Sequence, residues 1–371
     1  MRTASDVFFS IITVCYNAEK TIRETIESVL MQEWKNFEYI IIDGASTDST
    51  VDLVRQYAAM DDRIEWHSEP DSGIFNAMNK GISYANGNML YFLNAGDALH
   101  SGDVLGKVAE VAVQSDIVIG DIAFKTEHGL REQKYAVGSE LRENLERGRM
   151  VCHQVIFAAP DCLEQGFDER FKFCADYDWL CSQVNAGKKI TKADTIIVDY
   201  DLHGVTNQVK HHKVHYEEYF AVIGKYFPQP GFKYGDEVKK IYVQGLKEHI
   251  LYEYMNRWLF LNQRGISPSS FFISQGIRTV AIYGIHYMGQ RLFDELKDSG
   301  VEVEYAIDSN PAMQDFEISI PILSPDDTLK PVDAVVITPI WDFLEIESNL
   351  STKLDCPMFS IEDVLFFEYE K

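Results

Sequence analysis

Basic residues are scarce in this sequence: 34 Lys plus Arg stand against 58 Asp plus Glu among 371 residues, a formal net charge of −24. A surface of that sign repels nucleic-acid phosphates and anionic headgroups as a whole, so no nucleic-acid partner is expected. A phosphate-bearing ligand then needs local help from a divalent cation, helix N-termini or a few placed Lys or Arg. Cysteine is sparse as well. The six (Cys15, Cys152, Cys162, Cys174, Cys181 and Cys356) lack CxxC spacing and the density of a disulfide scaffold, and they read as reduced cytosolic thiols. Residues 1–6 carry neither a charged signal region nor a cleavage site, so a cytoplasmic location is expected. No window reaches about 18 uninterrupted apolar residues. The nearest aromatic stretch, 252–260, is broken by Glu253, Asn256 and Arg257, so no transmembrane span is expected. Peripheral docking of this segment, near Trp258, on a partner or on the inner face of the membrane stays open. Internal repeats and low-complexity tracts are absent.

What is present is a recurring strand and helix pattern. An apolar, β-branched run at 8–15 (FFSIITVC) leads into a helical pattern with Ala18, Ile22, Ile26, Val29 and Leu30 on one face. The unit repeats with FEYIIID at 37–43 before a helix over about 48–59, and with RIEWH at 63–67 before a helix from Gly73; NMLYFL at 88–93 and DIVIGDI at 116–122 follow. Strands so continuously apolar, alternating with amphipathic helices, predict an α/β fold with a mostly parallel sheet covered on both faces. From 207 to 263 the pattern changes to long, aromatic-rich helical segments. At Arg278 the alternation restarts with RTVAIYG, EVEYAID, VDAVVIT and FSIEDVLF. A chain of this length exceeds what one core usually supports. The expected organisation is an N-terminal α/β domain at 1–207, a helical connector at 208–275 and a smaller Rossmann-like α/β domain at 276–371.

In parallel sheets, ligands sit beyond the carboxyl ends of the strands. Here those ends are polar: Tyr16 and Asn17 after the first, Asp43 within DGASTD after the second, EPDSG at 69–73 after the third, and Asn94 to Asp97 (NAGD) after the fourth. One crevice is expected to collect them. The segments SIITVCYNAEKTIRETIESVLMQ, IIIDGASTDST, EPDSGIFNAMNKGISYANG, YFLNAGD and FDERFKFCADYDW, in this order over roughly 8–207, resemble family two glycosyltransferases with the GT-A fold. The EPDxGI and HQ segments resemble enzymes that build bacterial capsular, lipopolysaccharide and exopolysaccharide glycans. The resemblance implies an inverting, hexosyltransferase-class enzyme that moves a sugar from a nucleotide diphosphate sugar to a glycan or lipid-linked acceptor in cell-surface polysaccharide synthesis.

It also implies roles for individual residues. Thr13, Tyr16, Asn17, Asp43, Asp71, Lys80 and Asn94 would surround the donor nucleotide, with Asp43 accepting a hydrogen bond from the base and Lys80 reaching the phosphates. Read without the family, each has a plainer use: Asp43 as a turn residue beside the capping Asp48, Asn17 as N-cap of a helix from Ala18, Asp71 as a cap beside Ser72, and Lys80 as an exposed lysine. Diphosphate leaving groups need charge neutralisation, which enzymes of this fold usually supply with Mn2+ or Mg2+ on a DxD-like loop. Here the loop reads Asn94, Ala95, Gly96, Asp97, so Asp97 is the metal carboxylate, with the side-chain carbonyl of Asn94 beside it. In the family's pattern the first acid of ADYDW, Asp176, aligns with the general base, and Asp178 supports the helix start or the acceptor. Both acids would otherwise cap the helix that runs through Trp179. His153 near the acceptor and His203 in a loop closing over the donor complete the set.

In the last domain GIHYMG at 284–289 is a dinucleotide-type fingerprint with His286 where the middle glycine should be, and Asp308 ends the next strand at about the offset of a ribose ligand. A structural, regulatory or homo-oligomerising role is expected there rather than redox chemistry. Three other functions compete: a non-catalytic nucleotide-sugar binder, favoured by the depleted acidic loop; a sugar nucleotidyltransferase, which would need a glycine-rich basic loop absent from ITVCYNAEK; and an NAD-dependent enzyme centred on the last domain, which would require NAD affinity that depends on Gly284 and Asp308.

Overall fold

The computed structural model describes residues 8–126, 129–147, 149–201, 211–227, 236–309 and 319–367, those at 236–242 by backbone alone. His203 lies outside the described residues. The chain divides into two compact units: one of Met1–Thr206 with Val214–Gln229, the other of Asn207–Lys213 with Pro230–Lys371. Among the described residues no helix is long and apolar enough to cross a membrane.

The first unit opens with β1 (Phe9–Cys15), α1 (Ile22–Leu30), β2 (Phe37–Asp43), α2 (Thr50–Ala58), β3 (Ile64–Ser68), α3 (Ile74–Tyr84) and β4 (Met89–Phe92). Every residue of β1 and β4 is buried, as the uninterrupted apolar runs require of strands with both faces covered. Then follow β5 (Ala98–Leu99), α4 (Val104–Ala112), β6 (Ile117–Thr126), β7 (Gly129–Gln133), α5 (Ser139–Glu146), β8 (Ile156–Ala158), α6 (Ala175–Asn185), β9 (Ile190–Asp201) and α7 (His212–Tyr226). The strand order is β3-β2-β1-β4-β8-β6-β9-β5, with β7 hairpinned onto β6. The four leading strands are parallel, and β6 runs parallel to β9. Between them β8 is antiparallel to both neighbours. The expected GT-A-type sheet flanked by helices is present.

Register decides what meets at the carboxyl edge. Cys15 pairs with Asp43, and Asp43 with Ser68, so the ends of three strands stand in one row. Antiparallel pairing of Tyr91 with Phe157 lays the start of β8, and the turn His153–Val155 before it, beside the end of β4. One helix begins later than expected. Residues 18–21 form a turn and α1 starts at Ile22, so Asn17 is not its N-cap.

The second unit comprises α8 (Asp236–Gln263), α9 (Ser269–Ser274), β10 (Thr279–Tyr283), α10 (Tyr287–Leu296), β11 (Glu302–Ile307), β12 (Ile322–Leu323), β13 (Ala334–Ile337), α11 (Phe343–Leu350), β14 (Met358–Ser360) and α12 (Ile361–Leu365). Its sheet, β12-β11-β10-β13-β14, is wholly parallel. Side chains of α8, α10 and α12 pack on one face and those of α11 on the other, a doubly wound arrangement.

Candidate active site

Asp43, 1% exposed, is satisfied by the fold itself. Its carboxylate accepts from the Ser46 hydroxyl and amide, from Ser68 Oγ at 2.7 Å and from Cys15 Sγ at 3.7 Å. These donors fill the lone-pair sites of an ionised carboxylate. Asp43 therefore fixes the loop that follows β2. Asn17, at a left-handed φ of 48°, ties the same loop to the end of β1: its amide donates to Ser46 Oγ at 2.8 Å and its Oδ1 accepts from Thr47 N at 2.9 Å. Asp48 is not the N-cap expected of it, since Ser49 takes that place, but it still accepts from Thr50 N, the first residue of α2, at 3.0 Å.

The open surface of this corner belongs to Tyr16 and Asp71. Tyr16, just past the end of β1, is 63% exposed. At Gly44 a β-carbon would lie 2.5 Å from Asp71 Oδ2 and 3.4 Å from Tyr16 Cδ2, so the three meet and a side chain at 44 would displace the Asp71 carboxylate. Asp71 Oδ1 accepts from Gly73 N at 2.9 Å, which opens α3.

Two residues expected at the nucleotide are employed elsewhere. The Thr13 hydroxyl is fully buried, 2.9 Å from Tyr39 Oη, because its position on β1 faces the interior. The Lys80 ammonium donates to Pro70 O at 2.8 Å and pairs with Glu69 Oε1 at 2.8 Å, bracing the 69–73 loop from α3.

The loop after β4 is clamped on both sides. Thr25 Oγ1, from α1, donates to Asp97 O at 2.8 Å and accepts from Gly96 N at 3.0 Å; Gly96 has a φ of 109° that suits glycine alone. Asp97, 4% exposed, accepts from Asp201 N at 2.9 Å on one oxygen and from Gln154 Nε2 at 3.2 Å on the other. Burial pushes its carboxyl up to about 6, against the opposing pull of those two hydrogen bonds. Asn94 Oδ1, by contrast, is buried without a hydrogen-bond partner. A buried acceptor left open is the place for a hydrogen-bond donor or a cation. Among the described residues no cluster of three or more His, Cys, Asp or Glu is arranged to hold a metal. The open Asn94 Oδ1 suits a donor or a hard cation, whereas both oxygens of Asp97 already accept a hydrogen bond within the fold.

Asp176 completes this corner. It lies in the first turn of α6, 8% exposed, with Oδ1 accepting from Tyr177 N at 2.8 Å and Oδ2 2.8 Å from His153 Nδ1. His153 Nε2 lies 3.1 Å from Asn94 Nδ2. Asn94, Asp97, His153, Gln154 and Asp176 thus form one connected polar group, assembled from three distant segments. Asp178 points away from it, to α7, where Lys225 Nζ donates to Oδ1 at 2.7 Å. That ion pair holds α7 on α6, and it replaces the acceptor contact expected of Asp178.

Sequence reasoning missed Glu218. From α7 it accepts hydrogen bonds from three successive amides at the entry to α6: Lys172 at 2.7 Å, Phe173 at 2.8 Å and Cys174 at 3.1 Å. A carboxylate at a helix N-terminus is favoured by both the free amides and the helix dipole. No local signal marks it, since its partners lie more than 40 positions earlier.

Comparison with known proteins agrees with this arrangement. Residues 10–163 match the model of glycosyl transferase family 2. A PGL/p-HBAD biosynthesis glycosyltransferase of Mycobacterium bovis is 31% identical over 178 residues, 46% of this chain and 67% of that protein. An uncharacterized glycosyltransferase of Mycobacterium tuberculosis is 28% identical over 202 residues, 53% of this chain and 76% of its own length. Among solved structures, S. aureus TarS 1–349 in complex with UDP-GlcNAc superposes with a TM-score of 0.50 at 16% identity, over 60% of this chain and 68% of that one, a likeness of fold. By sequence, the chain belongs to glycosyl transferase family 2.

Proposed function

We propose that the first unit transfers a sugar from a nucleotide diphosphate sugar to an acceptor hydroxyl with inversion at the anomeric carbon. The observation that carries this reading is the placement of Asp176 beside the loop after β4, through His153 and Asn94. The nucleoside would stack on Tyr16 and reach Asp71, over the loop that Asp43 and Asn17 hold rigid. Asp176 takes the proton from the acceptor hydroxyl as its oxygen attacks the anomeric carbon opposite the leaving group. The bond from that carbon to the diphosphate breaks, and the nucleoside diphosphate departs with the electron pair. Mn2+ or Mg2+, held by Asn94 and Asp97, would supply charge neutralisation to the diphosphate.

The UDP-GlcNAc bound by the TarS structure supports the donor class. The biosynthetic role in the mycobacterial relative's name supports a glycan or lipid-linked acceptor in cell-surface glycan assembly. Work on the cytoplasmic side, at the inner face of the membrane, accords with such an acceptor. A thermal-shift screen of nucleoside diphosphates and their sugars, with and without Mn2+, tests the reading. One nucleotide class should stabilise the fold, by about 2.7 kcal/mol at a hundredfold excess over Kd. Tyr16→Ala and Asp71→Ala should abolish that shift. If no nucleotide or nucleotide sugar stabilises the protein, the proposal fails.

A further inference from the structure

We infer that His153 is the positioning residue for Asp176, holding its carboxylate in one orientation and linking it to the loop after β4; this rests on the proposed role of Asp176 as base. The hydrogen-bond logic admits one assignment for a neutral ring beside an ionised carboxylate. A carboxylate only accepts, so Nδ1 at 2.8 Å from Asp176 Oδ2 must carry the hydrogen. Nε2 is then an acceptor, and the group facing it at 3.1 Å is the donor Nδ2 of Asn94. That assignment leaves Asn94 Oδ1 as the surplus atom, and Oδ1 is the buried side-chain oxygen without a partner.

The ring has little freedom to do otherwise. His153 is buried in a 3-10 turn at the head of β8, and the neighbouring Gln154 is held twice, its carbonyl by Tyr91 Oη at 2.8 Å and its side chain by Asp97. With Oδ1 fixed by Tyr177 N and Oδ2 fixed by His153, the plane of the Asp176 carboxylate is set before any substrate arrives. One lone pair on each oxygen remains to take a proton. Orientation of this kind is worth a large factor, since a misplacement of about 1 Å at a reacting group costs on the order of a hundredfold in rate.

Two substitutions separate the two halves of the ring. The amide of His153→Asn occupies the place of Nδ1 and can still donate to Asp176; that of His153→Gln occupies the place of Nε2 and keeps only the contact with Asn94. Turnover is read as release of nucleoside diphosphate from UDP-GlcNAc, or from whichever UDP- or GDP-sugar gives the largest thermal shift. We expect kcat to fall about thirtyfold or more in His153→Gln and His153→Ala, and less than about fivefold in His153→Asn, with donor KM within about twofold throughout. Equal losses in Asn and Gln variants, a wild-type kcat in the Gln variant, or a KM that moves with kcat would each overturn the positioning role. Asp176→Asn distinguishes the levels: if it turns over normally, the base reading itself is lost, whereas an inactive Asp176→Asn beside a normal His153→Gln removes the positioning role alone. A measurement without substrate completes the test. Nitrogen-15 NMR of histidine-labelled full-length protein should show a protonated Nδ1 on His153, with a downfield proton that is lost in Asp176→Ala. An unprotonated Nδ1 would contradict the inference.

Discussion

Asp97 is the residue at which burial and charge are most sharply opposed. Its carboxyl is pushed from the ordinary 3.8 up to about 6 because the surrounding protein penalises the ionised form. A raised carboxyl favours the folded state while protonated, so its contribution is complete below about pH 4 and is lost as pH rises to about 6. At roughly 1.4 kcal/mol per pKa unit, over a shift of about two units, the loss is about 3 kcal/mol. Asp97→Asn removes it. In chelator, the stability of the variant minus that of wild type, measured by urea unfolding, should rise by that amount between pH 4 and pH 6 and stay level above; a flat difference would refute the assignment. Residue identities were legible in the sequence, because each polar strand end broke an apolar run. Directions were not. Thr13 faces inward, Lys80 reaches back to the 69–73 loop and Asp178 turns to α7, and each orientation depends on tertiary partners that no local pattern specifies.

Among the elements, β1 to β4 were legible because parallel strands covered on both faces need unbroken apolar runs. The twelve-residue β9 was not. Its sequence, ITKADTIIVDYD, mixes buried and half-buried positions because the strand lies near the sheet's edge and pairs with the two-residue β5, so its charges stay partly in water. The helix that carries Asp176 depends likewise on a distant partner, Glu218. Glu218→Ala would leave three amides at the entry to α6 without their acceptor. A loss of about 2 kcal/mol is expected in urea unfolding, together with a lower kcat than for an exposed control such as Glu217→Ala. Equal behaviour of the two variants would show that the entry to α6 needs no external cap.

At the scale of the whole molecule, the two units bring different loops to the ends of their sheets. In the second, the GIHYMG loop is closed on itself: a β-carbon at Gly289 would lie 2.0 Å from Gly284 O, and Asp308 Oδ2 accepts from Ile285 N at 3.2 Å. The carboxylate that a dinucleotide's ribose would require is thus bonded to the loop, so NAD should give no thermal shift; a shift abolished by Asp308→Ala would restore a nucleotide role for this unit. The first unit, in a chain of net charge −24, joins Asp97 and the candidate base Asp176 to the group that holds the open acceptor Asn94 Oδ1. The most direct test of that arrangement is to measure donor affinity by calorimetry and donor turnover on the same preparation of Asp176→Asn. Unchanged affinity with turnover reduced by a hundredfold or more is the predicted result, in line with the usual worth of a general base, ~10²–10⁴. Turnover within a few fold of wild type would contradict it.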